Sequence, residues 1–201
     1  MKKSAIIIPK DCNEVLLHAC CAPCSSAIVE WMLAHGVHPT VFYYNPNIWP
    51  REEYEIRKEE SKRHAESLGL KWIDGDYNHE AWLDAVCGLE KEPERGARCQ
   101  LCFFLRLKVA ALMAQKLGIT YFTTTLASSR WKSLAQIERA GHMAEQMVEG
   151  SLFWNQNWRK DGLQDRRVKL LKEYGFYNQQ YCGCEFSVRQ KQDDIKSDDN
   201  S

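Results

Sequence analysis

Val15-Leu-Leu-His18, then Cys20-Cys-Ala-Pro-Cys24, then the apolar and aromatic run 37–44 make up the stretch that decides the fold. The first run is short and apolar, the pattern of a buried strand. Ser25 or Ser26 is expected to cap a helix that follows, running to about His35 with Gly36 as its stop. Residues 37–44 read as a second strand, ended by the turn-rich Asn45-Pro-Asn-Ile-Trp-Pro50. Strand, helix and strand in that order predict a parallel pair.

The rhythm continues along the chain. Residues 51–68 form a strongly charged helix, with Glu53/Arg57 and Glu59/Arg63 at i,i+4 spacing, a narrow buried face and Gly69 at its end. A third short strand over 70–73 leads into the turn Asp74-Gly-Asp76 and a helix near 80–86. The clearest helix carries Phe103, Leu107, Ala110, Ala114 and Leu117 at spacings of 4, 3, 4 and 3, closed by Gly118. Its first turn holds Cys99 and Cys102. Residues 120–124 are β-branched and aromatic, as in a strand. Ser133-Leu-Ala-Gln136 then reads as a capping box for a helix with Leu134, Ile137, Ala144 and Val148 inward. The expected fold class is α/β, a Rossmann-like parallel sheet flanked by helices. From about Leu152 the period fades, which predicts an irregular C-terminal extension. The expected organisation is an N-terminal arm over 1–14, a single α/β catalytic domain over 15–190 and a disordered polar tail over 191–201.

A chain of 201 residues buries enough surface to need no cross-links. Lys2 and Lys3 precede an apolar stretch too short for an export signal, stopped by Pro9, Lys10 and Asp11. No apolar run approaches the ~20 residues needed to span a bilayer. These features predict a cytoplasmic protein with no membrane partner, in which thiols stay reduced unless catalytic or metal-bound. The 27 basic and 27 acidic side chains balance. A zero total leaves nucleic-acid binding open, because only local charge matters.

Seven of the nine cysteines fall into three tight clusters: Cys20, Cys21 and Cys24; Cys99 and Cys102; Cys182 and Cys184. Two-residue spacing lets Cys99 and Cys102 face one metal centre, and a helix N-terminus favours their thiolates. Four thiolates drawn from the first two clusters suit a tetrahedral zinc or an iron–sulfur cluster. Spacing does not choose between these, but the adjacent Cys20-Cys21 pair and the surplus of thiols lean toward iron–sulfur chemistry. Cys182-Gly-Cys184 can close only a small strained ring that is easily reduced, so it reads as a redox-active pair or as two more ligands. Cys12 and Cys87 stand apart and read as ordinary thiols. Ligands of parallel sheets bind beyond the carboxyl ends of the strands, where residues 20–24 and 123–129 fall.

Together these segments resemble the cobalamin-independent, QueH type of epoxyqueuosine reductase. The resemblance is carried by Leu16-Leu-His-Ala-Cys-Cys-Ala-Pro-Cys-Ser25, Tyr44-Asn-Pro-Asn-Ile-Trp-Pro50 with Glu53, Tyr54 and Arg57, and Gly88-Leu-Glu90. It continues through Glu92-Pro-Glu-Arg-Gly-Ala-Arg-Cys-Gln-Leu-Cys-Phe103, Arg106-Leu107, Phe122-Thr-Thr-Thr-Leu126 with Ser129 and Lys132, and Gln180-Tyr-Cys-Gly-Cys-Glu-Phe-Ser187. It implies an adenine-nucleotide-hydrolase-like sheet and two-electron reduction of the epoxide of epoxyqueuosine at the tRNA wobble position, giving queuosine and water. It also implies a 4Fe-4S cluster on Cys20, Cys21, Cys99 and Cys102, a redox-active pair in Cys182 and Cys184, and an additional iron for which Cys24 is the candidate ligand. The implied partners are the anticodon stem-loop of tRNA and an electron donor that the sequence does not identify.

For such an RNA, aromatics for stacking and basic groups for phosphates are expected. Trp154, Trp158, Arg159, Lys160, Arg166, Arg167 and Lys169 interleave in this way, or else form a solvated helix face with a few core aromatics. Arg98 and Arg106, with Arg95, flank the second thiol pair as phosphate contacts or as partners of Glu90, Glu92 or Glu94. Asn45 and Asn47 serve the turn first and substrate second. Tyr54, Arg57 and Lys132 are expected to line the pocket. His18 reads as structural first and as a proton donor second. Without a glycine-rich loop beside Thr123 to Thr125, ATP use is not expected. The rival classes are a non-catalytic zinc-stabilised RNA-binding module and a general thiol–disulfide oxidoreductase.

Overall fold

The computed structural model describes residues 6–187. Along the chain run β1 (Glu14–Ala19), α1 (Ala22–Ala34), β2 (His38–Tyr43), α2 (Arg51–Ser67), β3 (Trp72–Asp74), α3 (His79–Ala85) and α4 (Ala97–Leu117). They are followed by β4 (Tyr121–Thr124), a 3-10 turn (Thr125–Ser128), α5 (Leu134–Met147), β5 (Leu152–Phe153) and α6 (Leu163–Glu173).

All strand pairs are parallel, in the order β3-β2-β1-β4-β5. β1 is central, and its residues from Val15 to Ala19 are all buried, as a strand covered on both faces requires. Leu17 stands opposite Val41 on one side and Thr123 on the other. Helix α1 packs with α2 and α6, and α4 packs with α5. The chain builds the sheet outward from β1 through β2 to β3, then returns to β1's other side for β4. The connections therefore part at the β1/β4 boundary, and a crevice opens beyond the carboxyl ends of those two strands.

Three expectations change. α1 starts at Ala22, with Cys21 extended as its cap and Pro23 in the first turn, where the missing proline N–H costs nothing. Ser25 is thus inside the helix, and its hydroxyl donates back to the Cys21 and Ala22 carbonyls (both 3.2 Å). Ser133 does cap α5 through the Gln136 N–H, but the Gln136 amide turns away to the Arg95 carbonyl (2.7 Å). The stretch after Leu152 is more regular than its pattern, supplying β5 and α6. Gly141 lets α5 lie on β5, because a Cβ there would fall 2.1 Å from the Phe153 ring. The tail expected over 191–201 lies outside the described residues. Among the described residues, no helix is long and apolar enough to cross a membrane.

Candidate active site

Cys20 and Cys21 follow β1 directly, and Thr125 follows β4 directly, so they meet at the crevice. The Cys20 N–H donates to Thr125 Oγ1 (3.1 Å), and that hydroxyl donates to Cys20 Sγ (3.3 Å). Cys24 sits in the first turn of α1. The three sulfurs lie within 4.8 Å of one another and are all buried. Among the described residues this is the one group of three or more Cys, His, Asp or Glu ligand atoms so close together. The Gln179 amide donates to Cys21 Sγ (3.0 Å) and reaches toward Cys24 Sγ (3.9 Å).

Crowding makes the three thiols inequivalent. Hydrogen bonds from Cys21 and Cys24, aided by the charges of Lys132 and Arg106, outweigh burial and hold the Cys20 thiol well below its ordinary pKa. Donating to Cys20 and being buried push Cys21 and Cys24 the other way. The triad thus concentrates its first negative charge on Cys20, and a bound cation would draw off the remaining protons.

The other clustered thiols lie on α4 and on the loop of residues 181–184. Cys99 and Cys102 occupy the N-terminal turns of α4; burial pushes Cys99 up to about 11 and also raises Cys102. Burial pushes Cys184 up to about 12. None of the nine cysteines is in a disulfide. The loop bearing Cys182 and Cys184 is tied to the turn before α2: Trp49 N–H donates to the Gly183 carbonyl (2.8 Å) and the Tyr181 hydroxyl to the Trp49 carbonyl (2.6 Å). Arg57 donates to the carbonyls of Cys182 (3.3 Å) and Tyr181 (3.2 Å) while ion-paired to buried Glu53 (2.6 Å). Gly183 has φ +104, and a Cβ there would fall 2.9 Å from Ile48 and 3.0 Å from Arg57; only glycine allows this approach.

A cavity of about 410 Å³ is walled by Cys20, Cys24, Cys182, Asn47, Arg57, Arg106 and Lys132; Cys99, Cys102 and Cys184 do not line it. A volume of this order suits a small ligand or a single nucleoside. Cys182 and Lys132 also wall a smaller cavity of about 40 Å³ that contains Cys99 and Cys184, so these two residues join the thiol groups. Burial works against the Lys132 charge, but the sulfurs of Cys182, Cys20 and Cys24 outweigh it and hold its pKa above that of an ordinary lysine. Arg106 is buried, donates to Asn45 Oδ1 and leaves its Nε without a partner. Asn45 is held in turn by the Ala19 carbonyl (2.9 Å).

His18 serves the frame. Its Nε2 faces the Tyr44 carbonyl (3.0 Å), so that nitrogen carries the proton, and Nδ1 accepts from Thr124 Oγ1 (2.8 Å). Burial first, then Arg106, lowers its pKa to about 3, so the ring is neutral and is not the proton donor. The unfolded chain takes up this proton near pH 6.5, whereas the folded chain holds it off until about pH 3. The stabilisation is therefore complete above about pH 6.5 and lost as pH falls toward 3. His18→Gln is expected to flatten that acid limb in urea midpoints measured against pH. An unchanged slope would contradict the neutral-ring assignment.

Of the expected substrate residues, Asn47, Arg57, Arg106 and Lys132 reach the cavity, and Asn45 stands behind it holding Arg106. Tyr54 is buried between Tyr43 and Tyr77, with its hydroxyl on the Gly75 carbonyl (3.3 Å). Arg98 is buried, and its Nη1 donates to the carbonyls of Leu89 (3.0 Å), Glu90 (2.8 Å) and Glu92 (2.5 Å). Trp154 and Trp158 are core residues, Arg166 forks onto Glu30 (2.7 Å to each oxygen), and Arg159 binds the Ser129 and Lys132 carbonyls. That segment does not form one stacking face. Gln179 is a contact the sequence does not announce, since no spacing links it to the thiols. Trp131, exposed on the cavity rim, had one signal, a lone aromatic in the polar run 128–133.

The sequence profile of the family described as epoxyqueuosine reductase QueH matches residues 15–190. Proteins of that name are similar throughout. The one from Haemophilus influenzae is 46% identical over 182 residues, covering 90% of this chain and 74% of that protein. The one from Acinetobacter baylyi is 43% identical, covering 90% and 84%. That from Thermotoga maritima is 37% identical over 184 residues, covering 90% and 93%.

Proposed function

Given that this chain belongs to the epoxyqueuosine reductase QueH family, we propose that the cavity walled by Cys20, Cys24 and Cys182 is where its reaction, the last step of queuosine biosynthesis in tRNA, takes place. The observation that carries this reading is the placement of Cys20, Cys24 and Cys182 with Arg106 and Lys132 around one nucleoside-sized space. Reducing the epoxide to an alkene consumes two electrons and two protons and releases its oxygen as water. The substrate is the anticodon stem-loop of tRNA and the compartment the cytoplasm; the electron donor is a separate protein or small molecule.

The donor set is all thiolate and largely buried, which fits soft-ligand iron–sulfur coordination. Cys20, Cys21, Cys99 and Cys102 would hold a 4Fe-4S cluster, and Cys24, packed against Cys20 and Cys21, would ligate an additional iron. When bound, such a centre supplies single electrons and a Lewis-acidic iron. The protein's own groups do the rest. Lys132 and Arg106 put fixed positive charge on the wall that would meet the epoxide oxygen as it gathers negative charge. Asn47 Oδ1, buried without a partner on the cavity wall, accepts from an N–H donor of the base. The Arg57 clamp keeps Cys182 on that wall, so that Cys182 and Cys184 can store two electron equivalents as dithiol and disulfide.

Anaerobic purification and nucleoside mass spectrometry test this reading. Protein carrying iron and labile sulfide, together with accumulation of epoxyqueuosine in tRNA from a deletion strain, is the expected result. Colourless zinc-loaded protein would overturn the cofactor assignment. Unchanged queuosine in a deletion strain lacking a second reductase would overturn the assigned reaction.

A further inference from the structure

The aromatics that the sequence offered for base stacking are buried, yet one indole stands in water where substrate must pass. Trp131 is 66% exposed and borders both thiol-lined cavities. A single exposed apolar side chain needs no explanation in itself; the framing of this one does. The Arg95 guanidinium donates to the Trp131 carbonyl (2.9 Å). Arg159 grips the carbonyls of Ser129 and Lys132 on either side, and the Gln164 amide donates to the Ser128 carbonyl (2.8 Å). Three side chains from distant parts of the sequence thus fix a short surface loop whose most prominent product is an exposed ring. Arg130 lies against that ring, its guanidinium carbon 4.9 Å from the centroid, and both Arg130 and Arg95 are exposed.

A solvent-facing aromatic with one guanidinium over its ring and another on its backbone carbonyl, at the mouth of a nucleoside-sized cavity, has the chemistry of a single-strand RNA contact. Stacking holds a base without reading it, and the arginines meet the backbone phosphates. Resting on the reading that the cavity receives a nucleoside within tRNA, we propose that Trp131 is the stacking platform for an unpaired base flanking that nucleoside, with Arg130 and Arg95 contacting its backbone. The modified nucleoside then enters the cavity while its neighbour stays on the rim, which fixes the depth of insertion.

The test uses the iron-loaded full chain and an anticodon stem-loop RNA carrying epoxyqueuosine. Trp131→Ala is expected to raise Kd and KM for this RNA about 5- to 150-fold, with a much smaller change in kcat, and Trp131→Phe to retain most of the affinity. Replacing both nucleotides flanking the modified one by abasic residues should weaken wild-type binding, and the further loss from Trp131→Ala should then vanish. Equal binding by wild type and Trp131→Ala, or a loss that persists on the abasic RNA, would overturn the stacking role and leave the cavity reading intact. Failure of wild-type enzyme to convert the RNA at all would overturn the cavity reading itself, and the platform with it.

Discussion

Cys20→Ala is expected to lower turnover of epoxyqueuosine by more than about 100-fold, while the urea midpoint stays near the wild-type value. An outer-sphere partner of a metal ligand is worth about 10- to 100-fold in metal affinity or activity, and Cys20 is the point on which the site converges. It accepts a hydrogen bond from Thr125 across the crevice, lies 3.8 Å from Cys21 and is the thiol that its neighbours hold most anionic. Alanine leaves the backbone bridge from the Cys20 N–H to Thr125 in place and removes one sulfur from a cavity wall, so the fold has little to lose. Nucleoside mass spectrometry measures turnover, and iron and sulfide assays report whether the proposed cluster binds. Cys12→Ala is the control, because Cys12 precedes β1 at the opposite end of the sheet and its thiol donates to the Glu14 carbonyl (3.6 Å). Full turnover in the Cys20 variant would refute its place in the site.

Arg57→Met should cost about 3–5 kcal/mol of folding stability, the range for removing one partner of a buried ion pair. Both side chains qualify, since Arg57 is 3% and Glu53 8% exposed. Losing the guanidinium would strand the Glu53 carboxylate with only the Tyr177 hydroxyl (2.8 Å). It would also release the carbonyls of Tyr181 and Cys182, letting Cys182 drift from the cavity. Adding Glu53→Gln removes the stranded charge and keeps an acceptor for Tyr177, so the double variant should recover more than half of the stability but not the position of Cys182. Urea unfolding reads the first effect and turnover the second. A loss below about 1 kcal/mol in the single variant would mean that water reaches Glu53 and the pair is not buried in solution.

The sheet was legible because β1, β2 and β4 are short apolar or β-branched runs ended by turns, and α4 carries an unbroken apolar stripe from Phe103 to Leu117. β5 was not, because two residues give no period and its Phe153 is placed by the bare face of Gly141 rather than by a pattern of its own. The start of α1 is masked in the sequence because Ser25-Ser26 imitates a cap, whereas Pro23 at the first turn marks the boundary. For the site, cysteine spacing marked the three thiols that pack together after β1, Cys20, Cys21 and Cys24, and the family resemblance marked Lys132 and Arg106, which reach the cavity. Sequence distance hid the remainder. Gln179 reaches Cys21 across 158 positions, and whether a tryptophan packs edge-on in the core, as Trp158 does, or stands in water, as Trp131 does, is settled only by tertiary packing.

The hydrogen-bonded bridge between Cys20 and Thr125 spans 105 positions of the chain. A ribosome-bound intermediate that has emitted only the first three strands therefore owns its first thiols but no opposite wall on which to organise them. The cleft that those sulfurs wall is therefore complete only once the second half of the polypeptide has docked.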